Sequence, residues 1–287
     1  MLGNHLLGIY EKALSPDNNL AGRLSRVRSL GFDFVEMSVD ETDERLARLD
    51  FTNKELFAFK RAVHDTKTPI LSMCLSAHRR FPFGSVSAAT RDRAQEIMVK
   101  AILLASAVGV RVVQLAGYDV YYEDSTPKSV ARFEEGLALA VKEAERRQVM
   151  LAMEIMDTPF MNSISKYIEL KKKIDSPWFK LYPDLGNLSA WGGDVEKELN
   201  LGMRDIVGVH LKDTIAVTGS SKGKFRDVPF GTGCVDFVKC FQTLERGGYT
   251  GPYLIEMWHQ EGKNDLEATA EALEFIKAQF AKAEEDF

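Results

Sequence analysis

The sequence predicts an α/β fold of the (β/α)8 barrel type, built as a single domain over residues 1–287. Three observations predict it. Eight short, apolar, β-rich runs alternate with eight longer amphipathic runs. Strands separated by helices pair in parallel, and eight repeats favour a closed barrel over an open sheet. The length suits the roughly 250 residues common for such barrels, and no Gly/Ser/Pro-rich linker or low-complexity segment divides the chain.

The strands are expected at 6–9, 32–37, 70–75, 110–115, 150–155, 179–183, 206–211 and 253–257. The helices are expected at 20–30, 53–66, 89–108, 128–147, 163–173, 193–201, 235–246 and 265–284. In these longer runs apolar residues recur at three- and four-residue spacing, the pattern of a helix with one buried face. Asn53 and Ser163 stand where N-caps belong, and Gly31 and Gly109 where a C′ glycine belongs. The shortest helix, 193–201, follows a turn at Trp191-Gly192-Gly193, and the charged end AKAEEDF is expected to fray.

Composition narrows the function classes. Hydrophobic residues make up 45% of the chain, enough for a sizeable core. Lysine and arginine total 37 against 42 acidic residues, a net charge of -5. That balance argues against a nucleic-acid partner, which needs a basic surface. It leaves room for a small anionic ligand. The three cysteines, Cys74, Cys234 and Cys240, form no CxxC pair, so neither a disulfide framework nor a cysteine-rich zinc site is expected. The opening MLGNHLLGIYEK lacks a basic n-region, and no run reaches about 18 apolar residues. A cytoplasmic protein with no membrane partner is expected, with a homodimer as the default assembly.

Barrel active sites form at the C-terminal ends of the strands. The fifth strand, MLAMEIM, carries Glu154; the sixth, FKLYPD, ends in Asp184; the seventh, IVGVHLKD, carries His210; the eighth, PYLIEMW, carries Glu256. Each alone has a bland explanation, as a capping or salt-bridging acid or a hydrogen-bonded core histidine. Together they place one metal-competent side chain on each of four consecutive strands, at one rim. Carboxylates within Leu/Ile/Met runs are costly to bury unless paired or bound to a cation. The set predicts one divalent metal ion, and its mixed O/N donors suit Zn²⁺, Mn²⁺, Co²⁺ or Mg²⁺.

Two carboxylates flanking a substrate beside such an ion can epimerise a carbon next to a carbonyl. One removes a proton and the other returns one from the opposite face, through an enediolate. No redox cofactor is needed, and no GxGxxG follows a strand. The segments MEIMDTPFMNS, YPDLGNLSAW, VHLKDT, VPFGTGCVDF and YLIEMW carry this chemistry. With LGIYEKAL, GFDFVEMSVDETDERLARLDF, MCLSAHRRFPFGS and VQLAGYDVYY, they resemble the L-ribulose-5-phosphate 3-epimerases (L-xylulose-5-phosphate 3-epimerases) over nearly the whole chain. More broadly the chain resembles the xylose-isomerase-like TIM barrels.

The resemblance implies metal-dependent interconversion of L-ribulose 5-phosphate and L-xylulose 5-phosphate, in L-ascorbate and pentose catabolism. Glu154, Asp184, His210 and Glu256 would hold the metal, and Glu154 and Glu256 would double as the acid/base pair. Ketohexose 3-epimerases usually carry a histidine three positions after the strand-six aspartate; here that position is Asn187, a substrate contact that cannot titrate. The phosphorylated ketopentose would meet Lys224 and Arg226 in the long basic loop after strand seven, and Gly231 and Gly233 in PFGTG, whose amides could approach an oxyanion. His78, after strand three, is assigned to the pocket, while Arg79 and Arg80 beside it either reach substrate or hold the rim by salt bridges. Glu36, Tyr10 and Glu11 end the first two strands without an assigned role. The alternatives are a related sugar isomerase or ketose 3-epimerase, an endonuclease IV-like repair enzyme, and an inactive scaffold barrel.

Overall fold

A computed structural model describes residues 1–16 and 19–285. The apolar runs form β1 (Leu7–Tyr10), β2 (Phe34–Val39), β3 (Ile70–Leu75), β4 (Val112–Leu115), β5 (Met150–Glu154), β6 (Phe179–Tyr182), β7 (Val209–Leu211) and β8 (Tyr253–Ile255). Around them lie α1 (Leu20–Ser29), α2 (Asp43–Leu46), α3 (Asn53–Thr66), α4 (Ala88–Val108), α5 (Pro127–Arg147), α6 (Ile164–Lys173), α7 (Leu185–Ala190), α8 (Val195–Gly202), α9 (Phe237–Arg246) and α10 (Asp265–Glu284). Neighbouring strands pair in parallel in the order β6-β5-β4-β3-β2-β1-β8-β7. The remaining seam, β6 to β7, closes through isolated parallel bridges, Leu181 with Ile206 and Asp184 with His210. At Gly208, an added Cβ would meet the Tyr182 ring at 2.5 Å, so glycine lets that ring fill the seam.

The predicted (β/α)8 barrel is the observed one, and α3 spans 53–66 as expected. Its cap is not Asn53 but Thr52, whose hydroxyl accepts from Glu55 N–H while the Glu55 carboxylate accepts from Thr52 N–H. Ser163 caps α6, and Gly31 and Gly109 take φ of 91° and 86° after their helices, as expected. Helix α10 runs through Glu284, so the segment expected to fray is helical that far; residues 286–287 lie outside the described residues. No helix among the described residues is long and apolar enough to cross a membrane.

Side chains alternate across each strand, so every second residue faces the barrel axis. Most of the apolar core fills the layer between strands and helices. The axis is different. It holds two small apolar groups, Tyr10–Phe34–Cys74–Leu254 and Val112–Ala152–Tyr182. Polar side chains fill the space above: Glu36, Ser72, Gln114, Glu154 and His210 are all buried.

One buried ion cluster pins the first loops in place. Glu11, just after β1, is 5% exposed. Its Oε1 lies 2.7 Å from Arg45 Nη1 and 3.1 Å from Arg23 Nη2, and Arg48 grips both oxygens at 2.6 and 2.7 Å. Ser38 N–H donates to Oε2 at 2.9 Å. Burial alone would push this carboxyl up, but Arg48, Arg45 and Arg23 outweigh it and hold it down at about 2. Removing one partner of such a cluster leaves the others buried and unpaired, so Glu11→Gln is expected to cost about 3–5 kcal/mol in urea unfolding. The carboxylate's contribution is full above its unfolded value near about 4.3 and is lost as pH falls through about 2. The gap between wild type and variant should therefore narrow below pH about 4; a gap that widens on acidification would contradict this account.

Candidate metal centre

The four predicted ligands converge. Glu154, Asp184, His210 and Glu256 each offer one ligand atom within 4.8 Å of the others', and all four are buried. Strand register does this directly. Glu154 is the last residue of β5; Asp184 follows β6; His210 lies within β7; Glu256 follows β8 and donates its N–H to Leu211 O at 2.9 Å. Asp184 also caps α7, its Oδ1 accepting from Asn187 N–H at 2.7 Å, so strand end, ligand and helix start share one residue.

His210 is the hub. Its Nδ1 lies 2.9 Å from Glu154 Oε1 and 4.0 Å from carboxylate oxygens of both Asp184 and Glu256. Its Nε2 lies 2.9 Å from Glu36 Oε1, on the side away from those acids. Ser72 Oγ donates to the other Glu36 oxygen at 2.6 Å. Lys212, two residues past His210, places Nζ 2.8 Å from both Asp184 Oδ2 and Glu256 Oε2. Gln114 Nε2 donates to Glu154 Oε2. Sequence reading left Glu36 without a role and singled out neither Lys212 nor Gln114. The available signal was parity: Glu36 and Gln114 interrupt apolar strands at positions facing the axis, and Lys212 keeps the parity of His210 one residue past β7.

The electrostatics fit a bound dication. Among the described residues, the four carboxylates of Glu36, Glu154, Asp184 and Glu256 are paired here with two cations, Lys212 and His210. Asp184 Oδ2 has an ion pair with Lys212 but no aligned hydrogen bond. Burial raises the carboxyl groups of Glu154 and Asp184, whereas at Glu256 Lys212 and His210 outweigh burial and hold the carboxyl low. Burial would lower His210, but Glu36, Glu256 and Glu154 overcome it and hold the imidazole well above its ordinary value. Hard oxygen donors and one imidazole suit a divalent ion and not a thiophilic one. Nδ1 is the nitrogen that meets the acids, and Glu36 on Nε2 sets its tautomer and ring angle, as carboxylates do behind metal-binding histidines.

Two outcomes are expected. Glu36→Gln should weaken metal affinity about 10–100-fold in a chelator competition with the four ligands intact; unchanged affinity would remove Glu36 from the site. Loading Mn²⁺ should release about one proton per site, because Nδ1 must lose its proton to bind, and affinity should rise with pH. Calorimetry in buffers of different ionisation enthalpy reads this directly, and zero release would mean that His210 does not ligate through Nδ1.

Above the ligands opens a pocket of about 320 Å³, bordered by Glu154, Glu256, Asn187, Lys212, Arg79 and Arg226 among others. Two of the expected substrate residues are there. Asn187 donates Nδ2–H to Ile155 O at 2.9 Å, leaving Oδ1 without a partner. Arg226 lies over the Trp258 ring at 4.3 Å. The other four are placed elsewhere. His78 turns into the core, where its ring stacks on Phe83 at 4.6 Å and Nε2 meets Ala94 O of α4 at 3.2 Å. Lys224 is exposed and donates to Asp227 O at 2.8 Å. The amides of Gly231 and Gly233 both donate to Asp213 Oδ2 at 2.9 Å. An added Cβ at Gly233 would meet Asp213 Oδ1 at 2.1 Å, so this glycine serves the close wrap of backbone around an internal carboxylate. The PFGTG loop does bind an anion, but the anion is the protein's own.

Comparison with known proteins identifies the family. Residues 24–279 match the family described as xylose isomerase-like TIM barrel. SgbU of Escherichia coli (strain K12) is 57% identical over 280 residues, covering 98% of each chain. The L-ribulose-5-phosphate 3-epimerase UlaE of Salmonella paratyphi A is 54% identical over 277 residues, covering 96% of this chain and 95% of that one. Among solved structures, an L-ribulose 3-epimerase superposes with a TM-score of 0.77 at 19% identity, over 98% of this chain and 96% of that one. A D-allulose 3-epimerase from Methylomonas sp. gives a TM-score of 0.77 at 18% identity, over 96% and 98%. At these identities the two structures bear on the fold alone.

Proposed function

Because the chain belongs to the L-ribulose-5-phosphate 3-epimerase family of xylose isomerase-like TIM barrels, we propose that its barrel mouth interconverts L-ribulose 5-phosphate and L-xylulose 5-phosphate by inversion at C3. The observation that carries the mechanism is the pair of glutamates at the ends of β5 and β8, both bordering one pocket and both within the four-ligand cluster. Glu154, Asp184, His210 and Glu256 would hold a divalent ion, with Mg²⁺, Mn²⁺, Co²⁺ and Zn²⁺ all compatible with the donor set. Bound there, the ion supplies Lewis-acid stabilisation to negative oxygen.

The chain's own residues do the rest. One glutamate takes the C3 proton, and the electron pair of the broken C–H bond moves into the C2 carbonyl as an enediolate. The second glutamate gives a proton to C3 from the opposite face, restoring the carbonyl. Nothing is oxidised or reduced overall, and the two carboxyl groups end with their protonation states exchanged. Gln114 on Glu154 and Lys212 on Glu256 fix the two carboxylates in position. The free Asn187 Oδ1 is an acceptor suited to a substrate hydroxyl. Arg226 at the pocket rim faces the substrate's anionic end.

Turnover of L-ribulose 5-phosphate in D₂O should place deuterium at C3, with NMR showing the carbonyl still at C2. Glu154→Gln and Glu256→Gln should each lower kcat about 10²–10⁴-fold. Movement of the carbonyl would make the enzyme an aldose–ketose isomerase, and normal turnover by the double variant would sink the two-glutamate mechanism.

A further inference from the structure

Lys212 extends the inward face of β7. His210 faces the axis, Leu211 packs in the apolar core, and Lys212 returns to the axis one residue past the strand. The side chain is buried, yet it borders the pocket that Glu154 and Glu256 share. Its Nζ lies 2.8 Å from Glu256 Oε2 and 2.8 Å from Asp184 Oδ2. An ammonium has three N–H donors and no acceptor. Among the described residues these two carboxylate oxygens are the acceptors it meets, so one donor is left over beside the pocket. The Trp258 ring centre lies 5.6 Å from Nζ and makes that side of the ammonium apolar.

The support behind the other glutamate is different in kind. Gln114 donates Nε2–H to Glu154, but it is neutral, fully buried and stands outside the pocket wall. It can position a carboxylate and cannot touch a substrate. Lys12, also at the mouth, is held by Asp40, and Arg226 is exposed, where solvent screens its charge. Lys212 combines burial, a fixed charge and access to the space between the two glutamates.

In the epimerisation Glu256 meets C3 from one side. The C2 oxygen stands on the neighbouring carbon, so a donor 2.8 Å from Glu256 lies next to the oxygen into which the C–H electron pair moves. We propose that Lys212 is a catalytic residue that donates its third N–H to the C2 oxygen as negative charge gathers there; this deepens the reading of the chain as a 3-epimerase and rests on it. Lys212 transfers no proton and keeps its charge throughout. A ketone oxygen carries little charge, so the contact strengthens as the C3–H bond breaks. A fixed cation aimed at developing charge, in a site with little water, therefore favours the transition state over the bound substrate.

The test compares two ligands of the metal-loaded protein by calorimetry, a readout that needs no turnover. N-(2-phosphoethyl)glycolohydroxamate copies the planar O–C2–C3–O unit of the enediolate, and ribitol 5-phosphate carries hydroxyls in its place. Both bear the phosphate, so contacts to that group cancel in the ratio of their affinities. At saturating metal, Lys212→Met should weaken the hydroxamate about 50-fold and the pentitol phosphate by less than about threefold. Lys212→Gln, which keeps a neutral N–H donor, should weaken the hydroxamate about tenfold. In turnover of L-ribulose 5-phosphate, Lys212→Met should lower kcat about 10²–10³-fold with KM little changed. Equal weakening of both ligands by either folded variant, or undiminished hydroxamate affinity, would overturn the assignment and leave Lys212 a positioning residue for Glu256. A wild type that shows the contrast between the two ligands but takes up no deuterium at C3 would instead overturn the epimerase reading and leave the oxyanion contact standing.

Discussion

The imidazole of His210 is held between two carboxylates, Glu154 on Nδ1 and Glu36 on Nε2, each at 2.9 Å. That contact joins β7 to β5 on one side and to β2 on the other, across the barrel axis. It also sits at the seam where the barrel closes, since the Asp184–His210 bridge is one of the two links between β6 and β7. The Tyr182 ring packs edge-on to the imidazole at 4.7 Å, filling the seam beneath it. Closing the barrel and assembling the ligands are therefore one event. A barrel closed in another register would leave a fully buried histidine and several buried carboxylates without partners, at a cost of several kcal/mol.

The same economy holds one strand further on. Asp184 cannot rotate freely, because Oδ1 is committed to the N-terminus of α7 and Oδ2 to Lys212. Asn187, in the first turn of that helix, reaches back to Ile155 O beyond β5. The ends of β5 and β6 are thus tied together by the helix that the ligand itself caps. Gln114 from β4 and Ser72 from β3 complete the ring of supports behind the ligands. Each of the four candidate ligands stands on a strand or within two residues of its end and has a hydrogen-bonded or ion-paired neighbour, which is the rigidity that placing reacting groups demands.

The barrel and its four candidate ligands were legible because both follow from periodicity. Alternating strands and helices state the architecture, and a polar residue at the C-terminal end of four successive apolar strands states the site. Glu36, Gln114 and Lys212 follow the same rule and were readable in principle. What hid them is that a single buried polar residue has several satisfying partners, and only the closed barrel shows which one it meets. Four of the residues expected to meet the substrate lie outside the pocket for another reason. Whether Gly231 and Gly233 offer free amides depends on a carboxylate, Asp213, that lies 18 residues or more away in sequence. His78 and Arg79 are adjacent in sequence, and only the pitch of a 3-10 turn decides which enters the pocket. Likewise α7 is six residues long, too short to show a period, and is set up by the Asp184 cap.

The pocket that results has two electrical ends. Its floor gathers Glu36, Glu154, Asp184 and Glu256 around Lys212 and His210, and a divalent ion that displaces the Nδ1 proton would still leave no excess positive charge there for a further anion. Its rim carries Arg79, which forms no ion pair with a carboxylate among the described residues, and Arg226 beyond it. A phosphorylated ketose entering the wrong way would put its dianion against the floor acids. Even at an effective dielectric of about 20, two like charges about 5 Å apart repel by roughly 3 kcal/mol, more than a hundredfold in population. Entering the other way, it would meet the rim cations, with its carbonyl end towards Glu154 and Glu256. On the proposed reaction, this charge pattern would favour the orientation that chemistry at C3 needs before any hydroxyl finds its hydrogen-bond partner, and a substrate lacking the phosphate would forfeit that bias while meeting the same two glutamates.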